Sequence, residues 1–155
     1  MLIALHKGTS LVSRLIRWQT RSPYSHASLI FNDGTMVEAR EGHGVLWHRS
    51  ARVAIGNTKV DLFELRRGAS AKQRAAMTEF LKDQLGKDYD YLMVARFLSR
   101  RQESRKTRGK WFCSELVFAA IQKLGVNLFD RTEPWEVSPG MLARSTLLRK
   151  VQRTL

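Results

Sequence analysis

The sequence predicts an α+β domain occupying residues 1–155, and three observations carry that prediction. Two runs rich in β-formers, Ala27 to Phe31 and Thr35 to Ala39, flank Asn32-Asp33-Gly34, and an Asp-Gly pair accepts the positive φ of a tight hairpin. Leu116, Val117, Ala120, Ile121 and Leu124 recur at helical spacing after Cys113, with Gly125 placed to stop that helix. The elements run as a helix, then a hairpin and strands, then helices, which is the order of an α+β chain. With 155 residues, 43% of them hydrophobic, the chain suits one core. No internal repeat and no linker rich in Pro or Gly/Ser divides it.

Taken in order, Met1 to Leu5 reads as a short buried strand. Ser10 is placed to cap a helix whose Leu11, Val12, Leu15 and Ile16 share the face expected towards the core. Ser22-Pro23 breaks the chain before the hairpin. Lys59 to Leu65 alternates Val60, Leu62 and Glu64 against Asp61, Phe63 and Leu65, the pattern of a strand covered on both faces. Ser70 starts a second helix with Ala75, Phe80, Leu81 and Leu85 expected inside and Gly86 as its stop. A Tyr-Asp-Tyr loop at 89–91 and a helix to about Leu98 come next. Ser138-Pro139 opens a last short helix, and Thr146 to Val151 returns as an edge strand.

Lys and Arg number 27 against 14 acidic residues, a formal charge of +13, so the surface field attracts anions: nucleic acid, anionic lipid, cell-wall polymer or acidic protein. The stretch Arg96 to Lys110 concentrates seven of the basic residues with one Glu and reads as an exposed loop that could meet such a surface. No run approaches the roughly 18 to 20 apolar residues of a membrane-crossing helix. The N-terminus lacks the basic region and the roughly 7- to 15-residue apolar stretch of a signal peptide. The expectation is a protein that keeps Met1 and is cytoplasmic, or is released by a route needing no signal peptide.

Cys113 is the single cysteine, so no internal disulfide forms and a cysteine-based zinc site is not expected. At the start of a helix its thiol faces unpaired backbone N–H groups and the positive end of the dipole, which favour a thiolate. A small buried apolar cysteine fits the same position, and position alone leaves the two equal. His26 heads a strand and should emerge near the sheet end. Across the hairpin, Glu38 falls close to the level of Leu29 and Ala27, where a short register shift or strand twist brings it beside His26. A carboxylate there fixes the imidazole tautomer and stabilises the imidazolium, as in a Cys–His–acid arrangement. An exposed cross-strand His/Glu pair of structural value is the other reading. Asp90, on a loop, is the alternative orienter. His43 and His48 lie on a Gly-broken loop at a spacing unlike a helical metal pair, and no metal or cofactor is expected. Trp18, Trp47, Trp111 and Trp135 suit core edges as well as a pocket wall.

Three segments carry a resemblance: Tyr24-Ser25-His26-Ala27-Ser28-Leu29-Ile30, Met36-Val37-Glu38-Ala39 and Trp111-Phe112-Cys113-Ser114-Glu115-Leu116-Val117. Together they resemble the signature of NlpC-type papain-like cysteine hydrolases. The His strand comes before the Cys helix, the order of the circularly permuted branch that includes the lecithin:retinol acyltransferase-like proteins. The resemblance implies a permuted papain-like fold, an antiparallel sheet packed on helices with the nucleophile at a helix N-terminus. It also implies Cys113 as nucleophile, His26 as base and Glu38, twelve residues on, as the third polar residue. Gly86-Lys87-Asp88-Tyr89-Asp90 resembles the Gly-x-x-Tyr-Asp stretch of bacterial permuted members. Phe112 and Glu115 replace the Asp and Gly that flank the Cys-Ser pair in ordinary wall peptidases, which puts murein dipeptide specificity in doubt.

The expected function is thiol-dependent hydrolysis of an amide in a peptide, cell-wall or acyl substrate through a Cys113–His26–Glu38 triad and an acyl-enzyme. One alternative is a lipid-directed acyltransferase, lipase or thioesterase using the same residues, docked through basic surface on anionic membrane. Another is a basic nucleic-acid-binding protein in which Cys113 only packs, although the aromatics do not interleave with the basic run.

Overall fold

The computed structural model describes residues 1–92 and 109–153. Six antiparallel strands form the main sheet: β1 (Leu2–His6), β2 (His26–Ile30), β3 (Met36–Arg40), β4 (Gly44–His48), β5 (Val60–Leu65) and β8 (Leu148–Val151), in spatial order β4-β3-β2-β1-β5-β8. The helices are α1 (Leu11–Thr20), α2 (Ala51–Ile55), α3 (Ala71–Gln84), α4 (Cys113–Lys123) and α5 (Pro139–Leu142). Beside the sheet, β6 (Asp88–Tyr89) and β7 (Lys110–Trp111) pair in parallel. The protein is α+β, with an antiparallel sheet packed against helices.

Strand alternation divides the sheet between two cores. Ile3, Leu5, Ala27, Leu29, Val37, Ala39, Val45 and Phe63 pack with Met77 and Leu81 of α3 and with the buried length of α4. On the opposite face, Leu2, Ala4, Ile30, Met36 and Leu62 pack under Ala51 and Ile55 of α2. Leu62 and Phe63 thus belong to different cores, as the alternation in β5 predicts. Helix α4 is buried from Cys113 to Ile121 and forms the centre of the larger core.

The hairpin forms where its turn residues place it. Gly34 takes φ 81°, the Phe31 N–H donates to the Thr35 carbonyl at 2.9 Å, and Asp33 Oδ1 accepts the Thr35 N–H at 3.0 Å. Ser10, Ser70 and Ser138 each cap a helix N-terminus; at α3, Ser70 and Gln73 exchange reciprocal bonds of 3.2 and 2.8 Å. Strand β8 is the sheet edge, paired to β5.

Four expectations are corrected. In α1 the core takes Ile16, with Val12 packed against it, whereas Leu11 and Leu15 face solvent, because the i, i+4 pair Leu11/Leu15 lies one stripe around the helix from the buried one. In α3 the inner stripe is Met77, Leu81 and Gln84; Ala75, two residues from Met77, projects from the far side, and Leu85 lies past the helix end and is exposed. Residues 44–48, read as part of a Gly-broken loop, are strand β4. Gly44 turns into it at φ 74°, and Val45 exchanges bonds with the Lys87 carbonyl (2.8 Å) and the Gly86 N–H (3.0 Å). Tyr89, assigned to a loop, ends β6. The helix expected to about Leu98 and most of the Arg96–Lys110 run lie outside the described residues.

Candidate active site

His26 opens β2, and its neighbours fix where its ring goes. It pairs directly with His6 of β1. Between β2 and β3, Leu29 pairs with Val37 and Ile30 with Met36, so Glu38 falls at the level of Ser28, on the face shared by His26 two residues earlier. The diagonal is short enough in this twisted sheet for His26 Nε2–H to donate to Glu38 Oε2 at 2.5 Å. Of the two carboxylates weighed for this role, Glu38 is the one bonded to His26 Nε2. Asp90 is buried, and its Oδ1 accepts the Leu92 N–H at 3.0 Å.

Cys113 is the first residue of α4, which packs across β2 and β3. It lies close enough to His26 to count among the groups that raise the pKa of that ring. Burial works against the imidazolium, but the Cys113 charge and bond, then Glu38, outweigh it and raise the His26 pKa from 6.5 to about 10. Glu38 shows the reverse balance. Burial raises its pKa, yet the bond and charge of His26, with His6 and His48 adding to them, bring it down to about 2. At neutral pH these two are therefore held as a carboxylate and an imidazolium.

Three neighbours were not anticipated. His48 Nε2–H donates to the other Glu38 oxygen, Oε1, at 2.9 Å, so a histidine assigned to a loop clamps the carboxylate from β4. The alternation of Val45 and Trp47 against Leu46 and His48 was the available signal. His6 packs its ring edge-on against His26 at 4.9 Å between centroids and hydrogen-bonds Ser28 Oγ at 2.8 Å. Burial first, then the His26 charge, lowers its pKa to about 3 and keeps it neutral. Tyr89, beside Cys113, has its phenol pKa raised by burial and then by the Cys113 charge.

The two residues that depart from the wall-peptidase pattern both serve α4. Phe112 is buried with its ring 5.8 Å from Tyr89, and the Glu115 carboxylate accepts the Phe112 N–H at 3.2 Å. Ser114 Oγ–H donates to the Val137 carbonyl at 2.5 Å, pinning the same turn. Of the tryptophans, Trp111 is buried with Nε1–H on Gln84, Trp47 stacks on Phe31, and Trp18 is exposed.

A cleft of about 500 Å³ opens beside these groups, lined by His6, Ser25, His26, Glu38, Arg40 and Tyr89 among others. Cys113 itself has 0% exposure and is not among the lining residues. A hollow of about 640 Å³ elsewhere, around Asp61 and Lys150, contains no His or Cys and has no part in this chemistry. His6, His26 and Glu38 also bring one ligand atom each to within 4.8 Å of one another, a His₂–carboxylate set of the kind that holds zinc with a position left open.

Fold and site together define an α+β protein with a cleft lined by a histidine bonded to a buried carboxylate, with a buried cysteine nearby. The fold is similar to that of a solved structure, the metalloprotein YiiX from Escherichia coli O157:H7. The TM-score is 0.74 at 20% identity, over 99% of this chain and 96% of that one. No protein-family model and no curated protein matches the chain.

Proposed function

We propose that this protein is a thiol-dependent hydrolase of the permuted papain-like kind, with Cys113 as nucleophile, His26 as its acid and base, and Glu38 as the group that orients His26. The observation that carries the reading is the His26 ring, bonded to Glu38 at 2.5 Å, with Cys113 at the start of α4 near enough to raise its pKa. The Cys113 sulfur forms a bond to the acyl carbon, and the oxyanion is received by N–H groups of the first turn of α4, which lack intrahelical acceptors. The acyl–nitrogen bond then breaks as His26 gives its proton to the departing amine. Water, deprotonated by His26, releases the acid and restores the thiol. An amide is the substrate class favoured, because an amine must be protonated to leave and the charged His26 holds the proton for it.

The test is alkylation of Cys113 by iodoacetamide at pH 6, read by mass spectrometry beside glutathione. The expected result is labelling at least about tenfold faster than glutathione, as for a thiol held as thiolate, and slowed by His26→Ala. Because Cys113 has no exposed surface, labelling also reports that the cleft opens onto it. Labelling no faster than glutathione and indifferent to His26→Ala overturns the reading.

The cluster of His6, His26 and Glu38 favours a second reading, in which these residues hold a zinc ion, and the structural neighbour is described as a metalloprotein. His6 suits this because it remains neutral, and a neutral imidazole is a ligand. An ion there would supply Lewis-acid polarisation. Zinc would draw His26 from Cys113, so the readings separate. Calorimetric zinc binding that is lost in His6→Ala and that suppresses iodoacetamide labelling supports the metal; no binding removes it.

A further inference from the structure

Helix α1 turns an apolar stripe to solvent. Leu11 is 81% exposed, Leu15 38% and Trp18 71%, and their i, i+4, i+7 spacing aligns them along one face. Exposed apolar residues occurring singly need no explanation, but three in register beside a cleft do. Around the same helix, Val12, Ser13 and Ile16 line the cleft that holds His26 and Glu38. On the other helix that contributes to that cleft, Val53 is 80% exposed while Ala54 and Ile55 face inward.

The charge beside the stripe is of one sign. Lys7, Arg14, Arg17 and Arg21 surround a hollow of about 540 Å³ that Trp18 also lines. Lys7 is held by Asp61 at 2.8 Å, but among the described residues no ion pair engages Arg14, Arg17 or Arg21. A helix with Leu and Trp on one face and arginines along its border is the pattern that lies in a membrane interface, the apolar groups below the headgroups and the guanidinium groups on the phosphates. A second copy of this chain would oppose arginines to arginines in a protein of net charge +13. Nucleic acid would satisfy the arginines but leave Leu11 and Leu15 without a role, since binding to it rests on phosphate contacts.

We propose that α1 docks the protein on an anionic phospholipid surface, with Leu11, Leu15 and Trp18 in the interface and Arg14, Arg17 and Arg21 on lipid phosphates. The cleft then opens beside the bilayer. This deepens the proposed function by placing the acyl substrate in or on a membrane, yet the docking does not depend on the thiol.

The experiment is flotation of the full chain with phosphatidylcholine vesicles, with and without phosphatidylglycerol, at two salt concentrations. Binding is expected to the anionic vesicles, to weaken with salt, and to be much lower on phosphatidylcholine alone. The double variant Leu11→Ser/Trp18→Ser, at exposed positions where the fold should tolerate it, should lower the partition coefficient about 30-fold or more. Each of Arg14→Gln and Arg17→Gln should lower it about fivefold. Absence of binding, or binding untouched by the double variant while its circular dichroism and melting temperature match the parent, overturns the proposal. So does concentration-dependent dimerisation abolished by the same variant, or tight binding to duplex DNA lost with the arginines while vesicles are ignored. Cys113→Ala should float like the parent, so failure of the thiol chemistry and failure of the docking give different results.

Discussion

Glu38→Gln tests the centre of the proposed site. Glu38 is buried and accepts from two histidines, His26 at 2.5 Å and His48 at 2.9 Å, so its charge is distributed over two donors. Glutamine keeps the shape and one acceptor oxygen but turns an N–H group towards one of the histidines. It thus removes one charge-assisted hydrogen bond, worth about 1.5–3 kcal/mol, together with the field that helps keep His26 protonated. At 1.36 kcal/mol per decade, that predicts a slowing of about 10- to 150-fold in iodoacetamide labelling of Cys113 at pH 6, and of turnover once an amide substrate is found. The fold should survive, because the cavity and most of the bonding are retained; a circular dichroism spectrum and a urea midpoint close to the parent's check that condition. If a folded Glu38→Gln protein labels as fast as the parent, the carboxylate does not support the proposed thiolate–imidazolium pair.

His48→Ala removes one bond to the same carboxylate and leaves Glu38 on His26, so labelling at pH 6 should slow by about 3- to 10-fold, less than for Glu38→Gln. Stability measured by urea denaturation should peak near pH 6.5. His26 is raised to about 10, so its contribution is complete below 6.5 and is lost as the pH climbs towards 10. His6 is lowered to about 3 and Glu38 to about 2, so theirs are lost as the pH falls below 6.5 and below 4.5 respectively. His6→Gln should recover about 2–3 kcal/mol of the parent's loss between pH 6.5 and 4, and an unchanged acid limb would show that His6 is not held neutral. Gly44→Ala should destabilise the protein by at least about 2 kcal/mol in urea, since Gly44 sits at φ 74° and an added Cβ runs into the Lys87 carbonyl oxygen.

What was legible in the sequence was local. The β2–β3 hairpin could be read because Asp33-Gly34 specifies the turn, and β5 because its alternation matches two apolar surfaces. Cys113 could be placed at a helix start because the apolar periodicity begins immediately after it. Strand β4 was hidden because glycines at 42 and 44 read as loop, whereas Gly44 in fact turns the chain onto β3 and Lys87; the pairing partners lie outside any local window. The loss of β4 carried His48 with it. The β6–β7 pair joins Asp88 to Lys110 and Tyr89 to Trp111, a parallel contact with no local signature. The error in α1 is different in kind. Leu11 and Leu15 obey helical spacing, and periodicity identifies stripes without saying which stripe the rest of the protein covers.

The same geometry explains why a twelve-residue separation can join a histidine to a carboxylate here. The turn sets the β2–β3 register at Leu29 opposite Val37. That register puts Glu38 level with Ser28 and on the face of His26. A slip of one residue would send Glu38 through the sheet to the side of Val37 and Ala39, into the core beneath α4, where a carboxylate would lack both histidines. The apolar alternation of β3 opposes that slip, because it would also turn Val37 and Ala39 out of the larger core. Packing of Val37 and Ala39 and placement of Glu38 are therefore one constraint. His6 and His48 come from the strands flanking the hairpin, β1 and β4, and so inherit the same register: His6 through its pairing with His26, and His48 through Met36. The histidine–carboxylate cluster is thus built from four adjacent strands whose order follows from the hairpin, and Cys113 alone must be delivered from elsewhere. Burial of α4 from Cys113 to Ile121 does that, holding Cys113 near His26 by the same apolar contacts that hold the larger core together.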